Sequence, residues 1–217
     1  MNNFKKRDLL VALIIGEVAA LLMVLISNNL AGESAIFKAL TPYLNYLLVV
    51  FPLACAIGLY IAHILSRFIG VIYQFAKFVL VGGLNFLIDM GVLNFLIFYT
   101  GISAGLAQSG FKGISFLVAT TNSYFWNKHW TFGQKDTDSP QKELLVFLIV
   151  STIGFLINLG VDYIVVNLIS PVSGTNHKIW AQFGGLIASI VALSWNFIGY
   201  KFIVFKQKPK TDFGSSI

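Results

Sequence analysis

The stretch from Phe78 to Val92, FVLVGGLNFLIDMGV, limits the possible folds more than any other. It is apolar almost throughout, yet it carries Asn85 and Asp89 near its middle. Moved 69 positions along, it lies over FLIVSTIGFLINLGV, Phe147 to Val161, and seven of the fifteen pairs are identical. Asp89 falls on Asn158. An aspartate at the centre of a membrane helix costs roughly 2.5–3.5 kcal/mol on the insertion scale, and the neighbouring sequence offers no obvious partner for the charge. Two apolar segments in register, each with a polar group at the same place, point to a duplicated membrane hairpin.

Composition narrows the class. The chain is 57% hydrophobic and 11% charged, with a mean hydropathy of +0.79. Soluble domains carry about 25% charge, so this is a polytopic helical membrane protein. The single cysteine, Cys55, sits in an apolar run and leaves no disulfide framework or cysteine metal site. A net charge of +6 does not indicate nucleic-acid binding here, because in a membrane protein the placement of Lys and Arg matters more than their sum.

Six spans are expected. The first is LLVALIIGEVAALLMVLIS, after the basic start NNFKKRD. It reads as an uncleaved span rather than a signal peptide: it is long, Glu17 interrupts it, and no small-x-small site follows. A polar loop covers 28–42. The others run from about Tyr43 to Ser66, Phe75 to Tyr99, Lys112 to Trp126, Leu144 to Ile169 and Ile179 to Tyr200. TGISAGLAQSG, GQKDTDSPQKE and SPVSGTNHK read as loops. With both termini on one side, that side holds Lys5, Lys6, Arg7, Arg67, Lys77, Lys128, Lys135, Lys142, Lys201, Lys206, Lys208 and Lys210. The other side holds only Lys38, Lys112 and Lys178. This asymmetry makes the first side cytoplasmic.

The duplication continues beyond the opening match. SYFWNKHWTF, Ser123 to Phe132, lies over NFIGYKFIVF, Asn196 to Phe205, at an offset of 73, with Lys128 on Lys201. Two spans per repeat return the chain to the same side, so the repeats are parallel, with a binding site expected at their interface. The expected architecture is all-helical: a two-helix addition over 1–71, a four-helix core over 72–206 (repeats 75–132 and 144–205) and a cytoplasmic tail over 207–217.

FVLVGGLNFLID, then NKHWTF at the end of the next span, with a degenerate second copy, resembles the GtrA-like family of small bacterial and archaeal membrane proteins. The resemblance covers about residues 72–206. Ser123 stands where that family usually has Asn, with Asn122 adjacent; Lys128 replaces the common Arg, and Ile203 replaces the Trp of the second copy. Lysine keeps the charge but loses the planar fork, so any phosphate contact is a point-charge contact. The resemblance implies handling of polyprenyl-phosphate-linked sugars that feed surface polysaccharides. No enzyme activity and no cofactor are expected, because no catalytic or cofactor-binding motif is found. The expected partners are the prenyl-phosphate sugar, membrane lipids, membrane glycosyltransferases and further copies of the chain.

Candidate substrate contacts follow from polarity and position. Asn85 and Asp89 share a helix face, as do Asn158 and Asp162. They are expected to face inward and replace water around a sugar; the alternative is interhelical hydrogen bonds that only hold the bundle. Lys77, Lys128 and Lys201, at the cytoplasmic ends of spans, are candidate phosphate contacts or else snorkelling anchors. Asn122, Asn127 and Asn196 complete the set. Trp126, Trp130 and Trp195 read as belt or packing residues, and Gly82, Gly83 and Gly91 as sites of close helix approach. His129 and His177 lack metal-ligand spacing, and Asp136 to Asp138 is a solvated loop, not a metal pair. No Walker motif or nucleophile elbow is present. The leading expectation is translocation of a polyprenyl-phosphate-linked monosaccharide to the outer leaflet, its tail staying in lipid between the hairpins. The rivals are a non-transporting accessory subunit of a glycosyltransferase and a small-solute exporter.

Overall fold

A computed structural model describes residues 6–31, 35–134, 139–169 and 177–206. The Asp136–Asp138 pair, Lys135, the segment 170–176, the tail 207–217 and the His177 side chain lie outside the described residues. Among the described residues every regular element is helical. The chain divides into two compact units, Met1–Gly133 and Gln134–Ile217.

In the first unit α1 (Lys6–Leu30) is followed by the short α2 (Ala35–Leu40) and a 3₁₀ turn at Thr41–Tyr43. Then come α3 (Leu44–Leu65), α4 (Ile72–Thr100) and α5 (Gly105–Trp126). Helices in lipid gain little from hydrophobic exclusion and associate by close packing, which favours small residues. α1 follows that rule: Ala12, Ala19 and Ala20 are buried. A Cβ on Gly16 would stand 2.5 Å from the Cα of Pro52 on α3, so only glycine permits this approach. Ile15, Leu59, Val81, Leu84 and Trp130 fill the core around these small residues. The helices α1 and α4 run parallel and are tied at both ends, by Tyr73 to Asp8 at 2.8 Å and by Asn29 to Asn94 at 2.8 Å.

The second unit is a hairpin of α6 (Pro140–Tyr163), extended by a π turn at Ile164–Leu168, and α7 (His177–Gly199). Pro140 opens α6, where its missing N–H costs nothing. Phe147 stacks on Tyr200 at 4.3 Å, and the Ser151 and Tyr200 hydroxyls are 2.6 Å apart. A Cβ on Gly199 would lie 2.5 Å from Val150 Cγ1, so the helices touch backbone to side chain.

Both hairpins end alike. α5 runs into a π turn at Asn127–Thr131 and α7 into one at Tyr200–Val204, 73 positions apart. Each is closed by the next phenylalanine: Phe132 N–H donates to the Asn127 carbonyl at 2.9 Å, and Phe205 N–H to the Tyr200 carbonyl at 2.8 Å.

Among the described residues five stretches are long and apolar enough to cross a membrane: Lys6–Leu30, Lys38–Leu65, Ile72–Thr100, Pro140–Leu168 and Phe183–Val204. α5 is long enough at 22 residues but is not among them, because Gln108, Ser109, Lys112, Ser115, Thr120, Thr121, Asn122 and Ser123 dilute it. It also starts earlier than its hydropathy suggests. Gly101, in the left-handed region at φ 70°, ends α4, and the chain turns back by Gly105. Most of TGISAGLAQSG is therefore helix rather than loop. Likewise, α2 occupies part of the segment read as the loop 28–42.

Candidate functional site

In the first unit the polar groups of α4 meet those of α5. Lys112 Nζ pairs with Asp89 Oδ2. Ser115 Oγ donates to Asp89 Oδ1 at 2.5 Å, and Asn122 Nδ2 donates to Asn85 Oδ1 at 2.6 Å. These contacts form a seam along the antiparallel α4–α5 interface. The expectation that Asp89 lacks a nearby partner is thus corrected. The partner comes from the early start of α5, which brings Lys112 to Asp89 across the hairpin. The lysine side chain is 50% exposed and the aspartate 21%. The pair is reachable at its Lys112 end and closed at its Ser115 end.

At the basic end of the same unit lies a second polar cluster. Asp8 Oδ2 is 2.9 Å from Lys77 Nζ, with side chains 8% and 10% exposed. Tyr73 Oη donates to the same oxygen, and Trp130 Nε1 donates to Oδ1 at 2.9 Å. The Lys77 ammonium lies over the rings of Tyr73 at 4.5 Å and Trp130 at 5.3 Å. Arg7 donates to the His129 carbonyl at 3.2 Å and Gln74 to the Thr131 carbonyl at 3.3 Å. These bonds fasten the start of α1 and the start of α4 to the π turn after α5. That turn opens the helix enough to release carbonyls to side-chain donors. Lys77 is therefore held by the Asp8 carboxylate and the rings of Tyr73 and Trp130.

Lys128 is buried, with its Nζ 3.2 Å from Tyr124 Oη and 5.5 Å from that ring. Asn127 is buried too, its Nδ2 donating to the Ser123 carbonyl at 2.9 Å. Asn85 Nδ2, Asn127 Oδ1 and Thr131 Oγ1 are buried without a hydrogen-bond partner among the described residues.

The second unit carries the counterparts. Lys201 is half-buried over Phe197 at 5.8 Å and Phe202 at 5.5 Å, as Lys128 sits over Tyr124. Gly154 occupies the place of Asn85 under the 69-residue offset, and Asn196 fills the space where its Cβ would be. Asn196 Oδ1 is buried without a partner among the described residues. Asn158 and Asp162 are half-buried on α6. Asp162 Oδ1 would lie 3.4 Å from a Cβ on Gly184 and 3.8 Å from one on Gly185, so it faces a bare stretch of the α7 backbone.

The family model of the GtrA/DPMS transmembrane domain matches residues 77–205, more than half of the chain. The chain belongs to this family. The GtrA/DPMS match begins at Lys77 and ends at Phe205, which closes the π turn at Tyr200–Val204. It therefore takes in all ten candidate contacts: Lys77, Asn85, Asp89, Asn122, Asn127, Lys128, Asn158, Asp162, Asn196 and Lys201. Membership ties the chain to the handling of polyprenyl-phosphate-linked sugars in a membrane. No solved structure matches the chain. Three functional-looking groups escaped the sequence reading: Asp8, Lys112 and Tyr73. Asp8 hides in a basic start, and Lys112 reads as a boundary residue. Among the described residues no cluster of three His, Cys, Asp or Glu is placed to hold a metal ion.

Proposed function

We propose that this GtrA/DPMS protein moves a polyprenyl-phosphate-linked monosaccharide from the cytoplasmic to the outer leaflet of the cell membrane for surface polysaccharide synthesis. The observation that carries the reading is the polar seam of Asn85, Asp89, Lys112, Ser115 and Asn122 between α4 and α5. Such groups offer a sugar both donors and acceptors in place of water. Lys77, Lys128 and Lys201 would meet the phosphate, and Asn127, Asn158, Asp162 and Asn196 would extend the polar surface. The protein's own share is binding and positioning, with flow down the gradient between synthesis and use of the lipid.

The reading takes six crossings, with α5 as the fourth. Its polarity is compatible with spanning because Lys112, Ser115 and Asn122 bond to α4 rather than to water. It also takes a parallel duplication of the hairpin, which the two π turns 73 positions apart and the matched burial of Phe78 with Phe147 and Val81 with Val150 support. In this scheme 1–71 is an addition to the 72–206 core, and the basic asymmetry sets both termini in the cytoplasm.

One observation favours the accessory-subunit reading instead. Asp89 already has its charge matched within the hairpin, as a residue serving only to hold two helices would. Movement of labelled lipid between leaflets of proteoliposomes separates the two. Rates equal to those of protein-free vesicles would leave the accessory reading.

A further inference from the structure

α3 and α4 do not close fully against each other. Between them lies a cleft of about 390 Å³, within the roughly 300–1,000 Å³ of typical ligand sites. Its lining includes Ala54, Gly58 and Ala76, with Cys55, Leu59 and Leu80 as larger neighbours, and is apolar throughout. A Cβ added to Gly58 would meet nothing within 4 Å, so the room is real at the glycine. Leu59 is buried and Ala54 exposed, which makes the cleft a slot open to the lipid side with a packed floor.

The slot leads to a charged end. Cys55, Leu59 and His63 follow at four-residue spacing, so they carry one face of α3 toward the turn that holds Arg67. His63 meets Tyr73 of α4 edge to face at 5.2 Å and marks the top of the slot. Arg67 lies beyond it in the turn, is exposed, and makes no side-chain bond among the described residues. At 1.5 Å per residue, Leu59 lies about 9 Å and Ala54 about 16 Å below the end of α3 at Leu65, with Arg67 beyond it. A lipid with its phosphate at Arg67 places its third and fourth isoprene units near that depth.

We propose that this slot seats the isoprenoid chain of the carrier lipid, with the phosphate at the Arg67 end. The inference rests on the polyprenyl-phosphate reading above and moves the tail from open lipid to a slot between α3, which precedes the family match, and the start of α4. Charge and shape both single out this occupant. The guanidinium fork suits a terminal phosphate, which it binds in bidentate fashion. Notches at Ala54, Gly58 and Ala76 suit a chain that carries a methyl branch on every isoprene unit, whereas a straight acyl chain needs only a smooth groove. The N-terminal helices gain a role thereby, since α1 holds α3 in place through the Gly16–Pro52 contact.

The test is photolabelling of the full protein in phosphatidylglycerol–phosphatidylethanolamine vesicles. The probe is a polyprenyl phosphate with a diazirine in its third and fourth isoprene units. The expected result is saturable labelling of 54–59 and 76–80, competed by unlabelled polyprenyl phosphate and not by added phosphatidylglycerol. Gly58→Leu, which fills the slot, should reduce it several-fold, while Gly110→Leu, an open exposed position on α5, should not. Arg67→Gln should weaken competition by the phosphate but not by the neutral polyprenol. Saturable labelling that maps elsewhere would overturn the slot and leave the proposed function standing. Equal competition by phosphatidylglycerol would make the slot a bulk-lipid contact and overturn it. No saturable labelling anywhere would overturn both readings.

Discussion

Asp89 on α4 and Lys112 on α5 form an ion pair across the first hairpin, and Ser115 donates to the second carboxylate oxygen at 2.5 Å. The most costly residue of the third span is thereby matched by the most polar helix. Removing one partner strands the other. Asp89→Leu is expected to cost about 1–3 kcal/mol, less than the 3–5 kcal/mol of fully buried pairs, because the Lys112 side chain is half exposed. Asp89→Leu with Lys112→Leu is expected to recover most of that loss. Thermal unfolding in micelles checks it: additive losses in the double variant would show that the two residues are not coupled.

Asp8 is expected to matter more for stability than its place in a basic start suggests. Asp8→Ala removes a partner of Lys77 and an acceptor of Tyr73 and Trp130 at once. The expected loss is about 3–5 kcal/mol, as for other buried pairs. Asp8→Asn keeps an acceptor and should cost less. It also releases the Lys77 ammonium from a carboxylate. If Lys77 is a phosphate contact, Asp8→Asn then binds polyprenyl phosphate more tightly than wild type, measured by titration in nanodiscs. Unchanged or weaker binding would remove Lys77 from the phosphate site.

The two matched lysines are expected to differ. Lys128 is buried against Tyr124, whereas Lys201 is half-buried over two phenylalanines. Lys201→Gln should weaken lipid-phosphate binding several-fold with little change in melting temperature. Lys128→Gln should lower the melting temperature as well. Binding that stays at wild-type strength in a correctly inserted double variant would make both residues simple anchors.

The orientation is open to chemical labelling. In a Cys55→Ala background, Ser103→Cys between α4 and α5 should react with an impermeant maleimide added to intact cells. Gln141→Cys at the start of α6 should react only after permeabilisation. Both positions are exposed. The reverse pattern would invert the topology.

Much of this fold is legible in hydropathy alone, because lipid allows the backbone few choices. Five of the helices announce themselves by length and composition. α5 is harder to read. Its glycines and serines resemble a loop, and its helix is fixed by contacts with α4 that no local pattern contains. The same cause hid Lys112: its role depends on hairpin register, set where Gly101 ends α4 and Gly105 begins α5. Asp89 and Asn85 stood out because polarity is rare in an apolar run. Asp8 did not, being one polar residue among several, and only the folded α1 brings it to Lys77. The π turns leave no periodicity to detect, although the match of Phe132 with Phe205 already marked their ends.

Leaflet-resolved transport tests the central claim most directly. Purified protein in proteoliposomes, given a labelled polyprenyl-phosphate monosaccharide in one leaflet, is expected to deliver it to the other in proportion to folded protein, saturably and without nucleotide. The Asp89→Leu/Lys112→Leu protein, with its melting temperature restored, is expected to transport little, and Asp89→Asn to keep part of the rate because an amide still bonds a hydroxyl. Wild-type rates no faster than those of protein-free vesicles would contradict translocation. Full transport in the stable double variant would contradict the polar seam as its path.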